Sequence, residues 1–300
     1  MKKLVVITGP TASGKTAISV DIAKSLNTEI ISCDSRQFYK EMSIGTAKPS
    51  KKEMDGVVHH FVNSHSISEE LNAGRFERES LLLINDLFKK HDYVVMCGGS
   101  GLFIDAVTKG FDDMPSIIPE VRDLLRKQFK TDGISSLKNR LKELDPEYYA
   151  QVDLDNSQRV IRALEICLSS NTTYSNLRKG QLQKRPFETI KIVLDWPRET
   201  LYSRINKRVD EMLNEGLINE VKSLLPFRDL NALNTVGYKE FFEYLDGQTT
   251  LEKAIELVKR NSRRYAKRQL TWFRRDPSYH WITDISANKI LEIIKKEPQM

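Results

Sequence analysis

The residues best suited to chemistry lie near the amino end, in the sequence GPTASGKT at positions 9–16. They fit the pattern G-x-x-x-x-G-K-[ST], after an apolar β-branched run and before a helix-like segment. Glycines at this spacing let the backbone N–H groups surround one anion, and the following helix N-terminus adds positive potential. We therefore predict a phosphate site whose ligand the pattern leaves open, built from Gly9, Pro10, Thr11, Ala12, Ser13, Gly14, Lys15 and Thr16.

Two of these residues have side chains that bear directly on a phosphate. Lys15 supplies a full positive charge, and the Thr16 hydroxyl can ligate Mg²⁺ beside the phosphate oxygens. Mg²⁺ is therefore the expected cofactor.

Two further polar turns follow apolar strands. Asp34 ends one strand and could hold Mg²⁺ through water, act as a general base or cap a turn. Its neighbours Ser35 and Gln37 favour a functional role, because a glutamine amide can hydrogen bond to a base edge. Residues 98–101, GGSG, open a helix and could add donors opposite the phosphate loop, with Ser100 as a hydroxyl contact.

Other polar residues give weaker signals. The adjacent His59 and His60 would diverge on regular structure, so with His65 they do not predict a metal site. Arg204 and Arg208 share a helix face at i, i+4, which suits either phosphate binding or a solvated face paired with nearby acids.

These turns need a sheet to bring them together. Strands are expected near residues 4–8, 28–33, 93–97 and 190–194, alternating with helices at 76–90, 200–215 and 251–273. This pattern predicts an α/β fold, a parallel sheet of P-loop type flanked by helices. Ligands in such sheets bind outside the carboxyl ends of the strands, where the three polar turns should converge. Residues 116–185 are helical in pattern and are expected to form an inserted all-helical domain within a core of residues 1–115 and 186–300.

Composition limits the class of protein. The chain has 300 residues, 40% of them hydrophobic and 29% charged, which is typical of a globular protein. No run approaches the roughly 20 apolar residues of a membrane helix, and no secretory signal is evident. Its three cysteines are far apart, so no disulfide framework is expected. We expect a cytoplasmic protein that does not associate with membranes.

The positive charge is concentrated in one segment. Residues 259–275 contain eight basic side chains and no acidic one, so the rest of the +6 chain sums to 6 − 8 = −2. Tyr265, Trp272 and Phe273 are interleaved with these cations. Cations beside aromatic rings are typical of RNA binding, although a solvated helix with aromatic core contacts remains the alternative.

Taken together, the motifs resemble the tRNA dimethylallyltransferases (tRNA isopentenyltransferases) of the bacterial type. The resemblance rests on an ordered series of segments: GPTASGKT, DSRQFY, GTAKP, GGSGLF, PEVR, QRVIRALE, RINKRVDEML, GYKE and YAKRQLTWFR. The phosphate loop alone is widely shared, whereas the whole series is specific. Ser100 stands where the family usually has Thr, which keeps the hydroxyl, and Phe103 stands where it usually has Tyr.

The resemblance implies transfer of a dimethylallyl group from dimethylallyl diphosphate to N6 of the adenine 3′ of the anticodon. It implies that Asp34 is the general base and Ser100 a catalytic contact, with Lys15, Thr16-bound Mg²⁺ and Arg208 on the diphosphate. It further implies that the anticodon stem-loop of tRNA is bound by Asp34, Ser35, Arg36, Gln37, Arg122, Gln158, Arg159, Val160, Ile161, Arg162, Gly237, Tyr238, Lys239, Lys267, Arg268, Gln269, Trp272 and Arg274. We expect the enzyme to act as a monomer.

Three other functions share some of these features. A small-molecule kinase would use the same loop but would not need the basic helix. An isopentenyltransferase acting on free adenine nucleotides would be indifferent to charge reversal in that helix. A simple RNA-binding module would leave Lys15 and Asp34 without a role.

Overall fold

The structure is a computed structural model, and it describes residues 2–69 and 71–296. The chain divides into two compact units, one of residues 1–109 with 185–300 and one of residues 110–184. The second unit is an insertion in the first. It begins at Gly110, whereas the sequence pattern placed the start of the insertion at residue 116.

The first unit is built on one parallel sheet, as the sequence predicted. The strands are β1 (Lys3–Thr8), β2 (Ile30–Ser32), β3 (His59–His60), β4 (Tyr93–Cys97), β5 (Glu188–Leu194) and β6 (Tyr279–Ile282). Their order in the sheet is β3-β2-β4-β1-β5-β6, and every pairing between neighbours is parallel. Strand β1, buried along its whole length, lies between β4 and β5, so the loop that follows it emerges at the middle of the sheet.

The helices of the first unit cover the sheet or form a layer beside it. They are α1 (Lys15–Ser25), α2 (Lys51–Met54), α3 (Ala73–Leu87), α4 (Gly101–Lys109), α9 (Arg198–Asn214), α10 (Leu217–Leu224), α11 (Lys239–Leu245), α12 (Leu251–Phe273) and α13 (Ala287–Lys296). Short 3₁₀ turns occupy Leu225–Phe227 and Asn231–Leu233.

Side chains of β1 alternate between two cores because successive residues of a strand point to opposite faces. Leu4 and Val6 pack with α3 and α4 on one face, while Val5 and Ile7 pack with α1 and α13 on the other. A strand buried on both faces needs a continuous apolar run, which is the pattern of residues 4–7. A further apolar cluster joins α9, α10, α11 and α12 to Tyr39 and Met42.

The second unit is helical, as predicted. Its helices are α5 (Pro119–Leu144), α6 (Pro146–Gln151), α7 (Ser157–Ser169) and α8 (Tyr174–Leu177). The long α5 is broken at Gly133, whose φ is 71°. Leu125, Leu137 and Leu141 of α5 form a core with Val160 and Leu164 of α7.

Sequence reasoning missed three elements at the sheet edges and the carboxyl end. The strands β3 and β6 have only two and four residues, and their histidine, tyrosine and tryptophan residues give little apolar alternation. The terminal helix α13 is amphipathic and packs its Ile290 and Ile294 into the core beside α1. Both histidines of β3 have partners within the fold: His59 contacts the Val57 carbonyl through Nδ1 at 2.9 Å, and His60 contacts Glu29. His65 lies outside the strand, near Glu79.

Candidate active site

The loop at residues 9–16 joins β1 to α1 in the conformation that its glycines allow. Gly9 has a φ of 153°, and a Cβ there would lie 2.8 Å from the Leu194 carbonyl oxygen. Gly14 precedes α1 with a φ of 86°, and Ala12 also adopts positive φ. Lys15 is the first residue of α1, so its ammonium and the helix N-terminus act on the same space.

Side chains from neighbouring elements hold the outer face of this loop. Arg204 donates from Nε to the Ala12 carbonyl at 2.7 Å, and Trp196 donates from Nε1 to the Ser13 carbonyl at 2.9 Å. The Arg204 guanidinium also lies over the Trp196 ring. With these carbonyls engaged from outside, the loop is stabilised in a shape suited to anion binding.

Two cations face the loop in a partly buried setting. Burial lowers the pKa of Lys15 to about 8; nearby Arg208 acts in the same direction, and Asp34 opposes it. Burial also lowers the pKa of Arg208, again opposed by Asp34. Arg208 donates to the Thr11 hydroxyl at 3.4 Å, and Lys15 donates to the Pro10 carbonyl at 2.8 Å. A dianionic ligand would relieve the unfavourable proximity of these cations.

Asp34 lies two residues after β2, at the same carboxyl end of the parallel strands as the loop. Its carboxylate accepts the Arg36 N–H at 3.0 Å, and its carbonyl accepts the Gln37 N–H at 3.2 Å, which shapes a tight turn. The Ser100 hydroxyl accepts the Ser35 N–H at 3.0 Å and so connects this turn to the glycine turn after β4.

Of the residues assigned to chemistry, Lys15, Thr16 and Asp34 line two adjoining cavities, and Asp34 lines both. Ser100 lines neither cavity and reaches them through Ser35. The smaller, of about 30 Å³, is lined by Lys15, Thr16, Ser32, Asp34 and Cys97 among others. The larger, of about 510 Å³, extends from Thr11, Ala12 and Arg208 to the basic helix α12. Its wall includes Ser35, Arg36, Gly237, Lys239 and Arg268. A phosphate loop, a carboxylate and several cations therefore share one space.

The side-chain oxygen atoms around the smaller cavity are suited to a magnesium ion. The Thr16 and Ser32 hydroxyls and the Asp34 carboxylate supply the hard oxygen ligands that Mg²⁺ prefers. Histidine, cysteine and acidic side chains form no group of three suited to a metal in residues 2–69 and 71–296. A magnesium ion here would need ligands from the substrate phosphates or water as well.

Two residues predicted to bind tRNA contact the glycine turns within the chain. Gln269 of α12 is buried, accepts the Thr11 N–H at 2.9 Å and donates to the Gly99 carbonyl at 2.9 Å. Trp272 packs against Gly101 and donates from Nε1 to Asp105 at 2.9 Å. These contacts need the absence of a Cβ at Gly99 and Gly101, which explains the glycines of the second turn.

Other predicted tRNA contacts differ in how accessible they are. Along α12 and its end, Lys267, Arg268 and Arg274 are exposed, whereas Tyr238 is fully buried and Gln37 uses its amide on backbone carbonyls. In the helical unit, Gln158 and Arg159 are exposed, and Ile161 and Arg162 are half-buried. Arg122 forms an ion pair with Glu165, and Val160 is fully buried in the core of that unit. The side chains of Val160 and Tyr238 therefore support the fold in this structure.

Two residues of the site were given no individual role from the sequence, although Tyr265 was noted among the aromatic residues of the basic segment. Tyr265 lies in the larger cavity, where burial raises its pKa to about 12, Asp34 adds to the shift, and a hydrogen bond with Ser100 opposes it. Its spacing to Gln269, one helical turn along α12, was the available signal. Trp196 lies two residues after β5, at the carboxyl end of the parallel strands where ligands bind.

A substitution at Gly98 tests how tightly the two strand ends are packed. A Cβ at this position would lie 2.5 Å from the backbone carbon of Cys33, just before Asp34. We expect Gly98→Ala to lower the free energy of unfolding by about 1–3 kcal/mol, because backbone atoms must move apart. Urea denaturation measures this, and Gly74→Ala is the matched control, since its Cβ would meet only ordinary contacts in α3. Equal stabilities of the two variants would contradict the packing described.

The fold and the site together define an α/β protein of P-loop type, with a loop suited to an anion next to a basic helix. Comparison with known proteins makes this class specific. The IPP transferase family model matches residues 37–276. A tRNA dimethylallyltransferase of Cytophaga hutchinsonii is 48% identical over 298 residues, covering 99% of this chain and 98% of that protein. One from Christiangramia forsetii is 49% identical over 295 residues, covering 98% of each.

Solved structures agree with the sequence comparison. The full-length tRNA isopentenylpyrophosphate transferase of Bacillus halodurans matches with a TM-score of 0.72 and 41% identity, covering 98% of this chain and 95% of that one. A eukaryotic dimethylallyltransferase described as acting on tRNA matches with a TM-score of 0.83 and 28% identity, covering 99% of this chain and 81% of that one. The chain belongs to the IPP transferase family, and its enzyme class is that of the tRNA dimethylallyltransferases. No helix within residues 2–69 and 71–296 is long and apolar enough to cross a bilayer.

Proposed function

We propose that this chain transfers a dimethylallyl group from dimethylallyl diphosphate to N6 of the adenine 3′ of the anticodon in tRNA. The observation that carries the proposal is the shared cavity, in which Asp34 lies between the phosphate loop and the basic helix. A kinase would use the loop but not the cations of α12. The proposed site of action is the cytoplasm, and the proposed active form is a monomer.

Dimethylallyl diphosphate is proposed to bind with its diphosphate group at the loop of residues 9–16. Lys15, Arg208 and the N-terminus of α1 would neutralise the charge that gathers on diphosphate as the C1–O bond breaks. The broken bond leaves its electron pair on the diphosphate oxygen, and the allylic C1 becomes electron-poor. Mg²⁺, when held by Thr16 and the other oxygen donors of the smaller cavity, would supply further neutralisation of the phosphate oxygens.

The acceptor is proposed to enter from the side of α12. An adenine N6 is a poor nucleophile because its lone pair is delocalised into the ring. As the N6–C1 bond forms, Asp34 would accept the N6 proton, and Ser100 would hold the Asp34 turn through Ser35. The base must leave its stack to reach this cavity. Products are the N6-prenylated tRNA and diphosphate.

The experiment that tests the proposal is mass spectrometry of unmodified tRNAs after incubation with the full chain, Mg²⁺ and dimethylallyl diphosphate. A mass gain of one dimethylallyl group on the adenine 3′ of the anticodon supports it. ATP turnover without prenyl transfer, or transfer to AMP in preference to tRNA, would contradict it. The second outcome would identify an isopentenyltransferase of free nucleotides.

The basic helix is proposed to bind tRNA phosphates, which makes a prediction about salt. Arg264 and Lys267 are exposed on α12, and Arg264 also lines the larger cavity. We expect Arg264→Gln with Lys267→Gln to weaken tRNA binding and to make the slope of log Kd against log salt shallower by about one per lost phosphate contact. Filter binding over a salt series measures the slope. Lys295→Gln, which removes an exposed charge from α13, is the control, and an identical slope in all proteins would exclude this face.

A further inference from the structure

The Glu220 carboxylate holds residues 43–47, a segment that contributes Gly45, Thr46 and Ala47 to the wall of the larger cavity. We call Glu220, together with Tyr238, the clamp of this segment. Glu220, in the first turn of α10, accepts backbone N–H bonds from Ser43 at 2.9 Å and Ile44 at 2.8 Å on Oε2. Its Oε1 accepts the Gly45 N–H at 3.0 Å. Three consecutive backbone donors on one carboxylate form a strong, charge-assisted contact.

Tyr238 completes this clamp from the buried side. Its hydroxyl donates to Glu220 Oε1 at 2.7 Å, and its ring covers Gly45 so closely that a Cβ there would lie 2.6 Å from ring atoms. Burial and the neighbouring Glu220 carboxylate raise the pKa of Tyr238 well above its ordinary value. The phenol therefore stays a neutral hydrogen-bond donor at any physiological pH.

The carbonyl groups of the same segment hold two groups of the active site. Gln37 donates from Nε2 to the Thr46 carbonyl at 3.3 Å and to the Ala47 carbonyl at 3.1 Å. Arg208 donates to the same Ala47 carbonyl at 3.4 Å. The backbone N–H of Gln37 also bonds to the Asp34 carbonyl. The segment therefore supports both Arg208, which is proposed to bind the diphosphate, and the turn that carries Asp34, the proposed base.

The backbone of the segment needs such support. Ala47 has a φ of 46°, a left-handed conformation that costs energy for a residue with a Cβ. Strained residues of this kind persist only where their surroundings fix them. Without the bonds from Glu220, residues 43–47 can relax and move the Ala47 carbonyl away from Arg208 and Gln37.

We propose that Glu220 and Tyr238 are positioning residues that set Arg208 and the Asp34 turn for the reaction. Neither contacts the reacting atoms; both act through residues 43–47. The inference rests on the proposed function for its consequence in catalysis, whereas the clamp itself can be tested by binding of inorganic pyrophosphate alone. This separates the two ideas experimentally.

The test compares Glu220→Gln, Tyr238→Phe and the double variant of the full chain. Calorimetric titration with inorganic pyrophosphate and Mg²⁺ is expected to show binding weaker by about tenfold or more in Glu220→Gln, since small displacements of a charged ligand are costly. In prenyl transfer, we expect the KM for dimethylallyl diphosphate to rise and kcat to fall together, because Arg208 and Asp34 both move. Glu215→Gln, at an exposed acid just before α10, and Tyr244→Phe on α11 are the matched controls.

A double-mutant cycle with Arg208→Ala decides whether the clamp acts through that arginine. We expect the losses in pyrophosphate affinity to be less than additive, because residues that share a contact chain are coupled. Additive losses would overturn the proposal. A lower melting temperature with wild-type pyrophosphate affinity and kinetics would also overturn it, because the clamp would then serve stability alone. If the wild-type chain binds pyrophosphate but transfers no dimethylallyl group, the proposed function fails while the binding test of the clamp still stands.

Discussion

Asp34→Asn is expected to lower kcat for prenyl transfer by about 10²–10⁴-fold, the usual contribution of a general base. The amide keeps an oxygen that can accept the Arg36 N–H, so the turn after β2 should be retained. What the variant loses is the ability to take the N6 proton. Single-turnover transfer with saturating tRNA and dimethylallyl diphosphate measures this loss. The affinity for tRNA should stay within about twofold of wild type, because the substitution alters none of the basic residues proposed to bind tRNA phosphates.

Asp21→Asn is the control for this substitution, because Asp21 is an exposed acid on α1. Its kcat should equal that of wild type. A wild-type transfer rate in Asp34→Asn would remove Asp34 as the base. A loss of tRNA binding equal to the loss of rate would instead make Asp34 a binding residue.

Lys15→Ala is expected to weaken binding of inorganic pyrophosphate by about 10- to 100-fold, the effect of losing one charged hydrogen bond in a partly buried site. Lys15 begins α1 beside the loop, and Arg208 is a second cation close enough to lower its pKa. Calorimetric titration at neutral pH measures the change. Lys24→Ala, at the other end of the same helix, is the control and should bind as wild type does.

The pH dependence gives this prediction a second readout. Because burial lowers the pKa of Lys15 to about 8, the free protein carries the ammonium below that pH and loses it above. Bound diphosphate favours the charged form, so binding above pH 8 requires uptake of a proton. Affinity should therefore be constant with respect to this group below about pH 8 and fall as the pH rises further.

Comparing wild type with Lys15→Ala separates the ionisation of Lys15 from that of pyrophosphate itself. Both wild type and Lys15→Ala experience the ligand's own titration, so only the difference between their pH profiles belongs to Lys15. If the two profiles run parallel through pH 8, Lys15 is not the group that contacts the ligand.

The relation between sequence and structure differs from element to element. Local patterns were sufficient for β4 and α12, which begin and end at the predicted residues, because a buried apolar run and a long amphipathic helix are strong signals. The short strands β3 and β6 gave no such signal, since pairing at a sheet edge stabilises them rather than their own composition.

The contacts of Gln269 and Trp272 were likewise not predictable from local sequence. Their place in a basic, aromatic helix suggested RNA contact, while their partners lie far away in the chain at Thr11, Gly99 and Asp105.

The phosphate loop was readable from eight consecutive residues because its function depends on backbone geometry that glycine spacing encodes locally. The carboxyl ends of parallel strands also made the meeting of Asp34 with that loop predictable. The clamp formed by Glu220 and Tyr238 was not, because Glu220 bonds to residues 43–45, which lie about 175 positions earlier in the chain. Contacts of that range follow from how helices pack on the sheet, and no local pattern carries them. The loop can therefore be identified from the sequence, but the support for the groups that face it emerges only when the chain is folded.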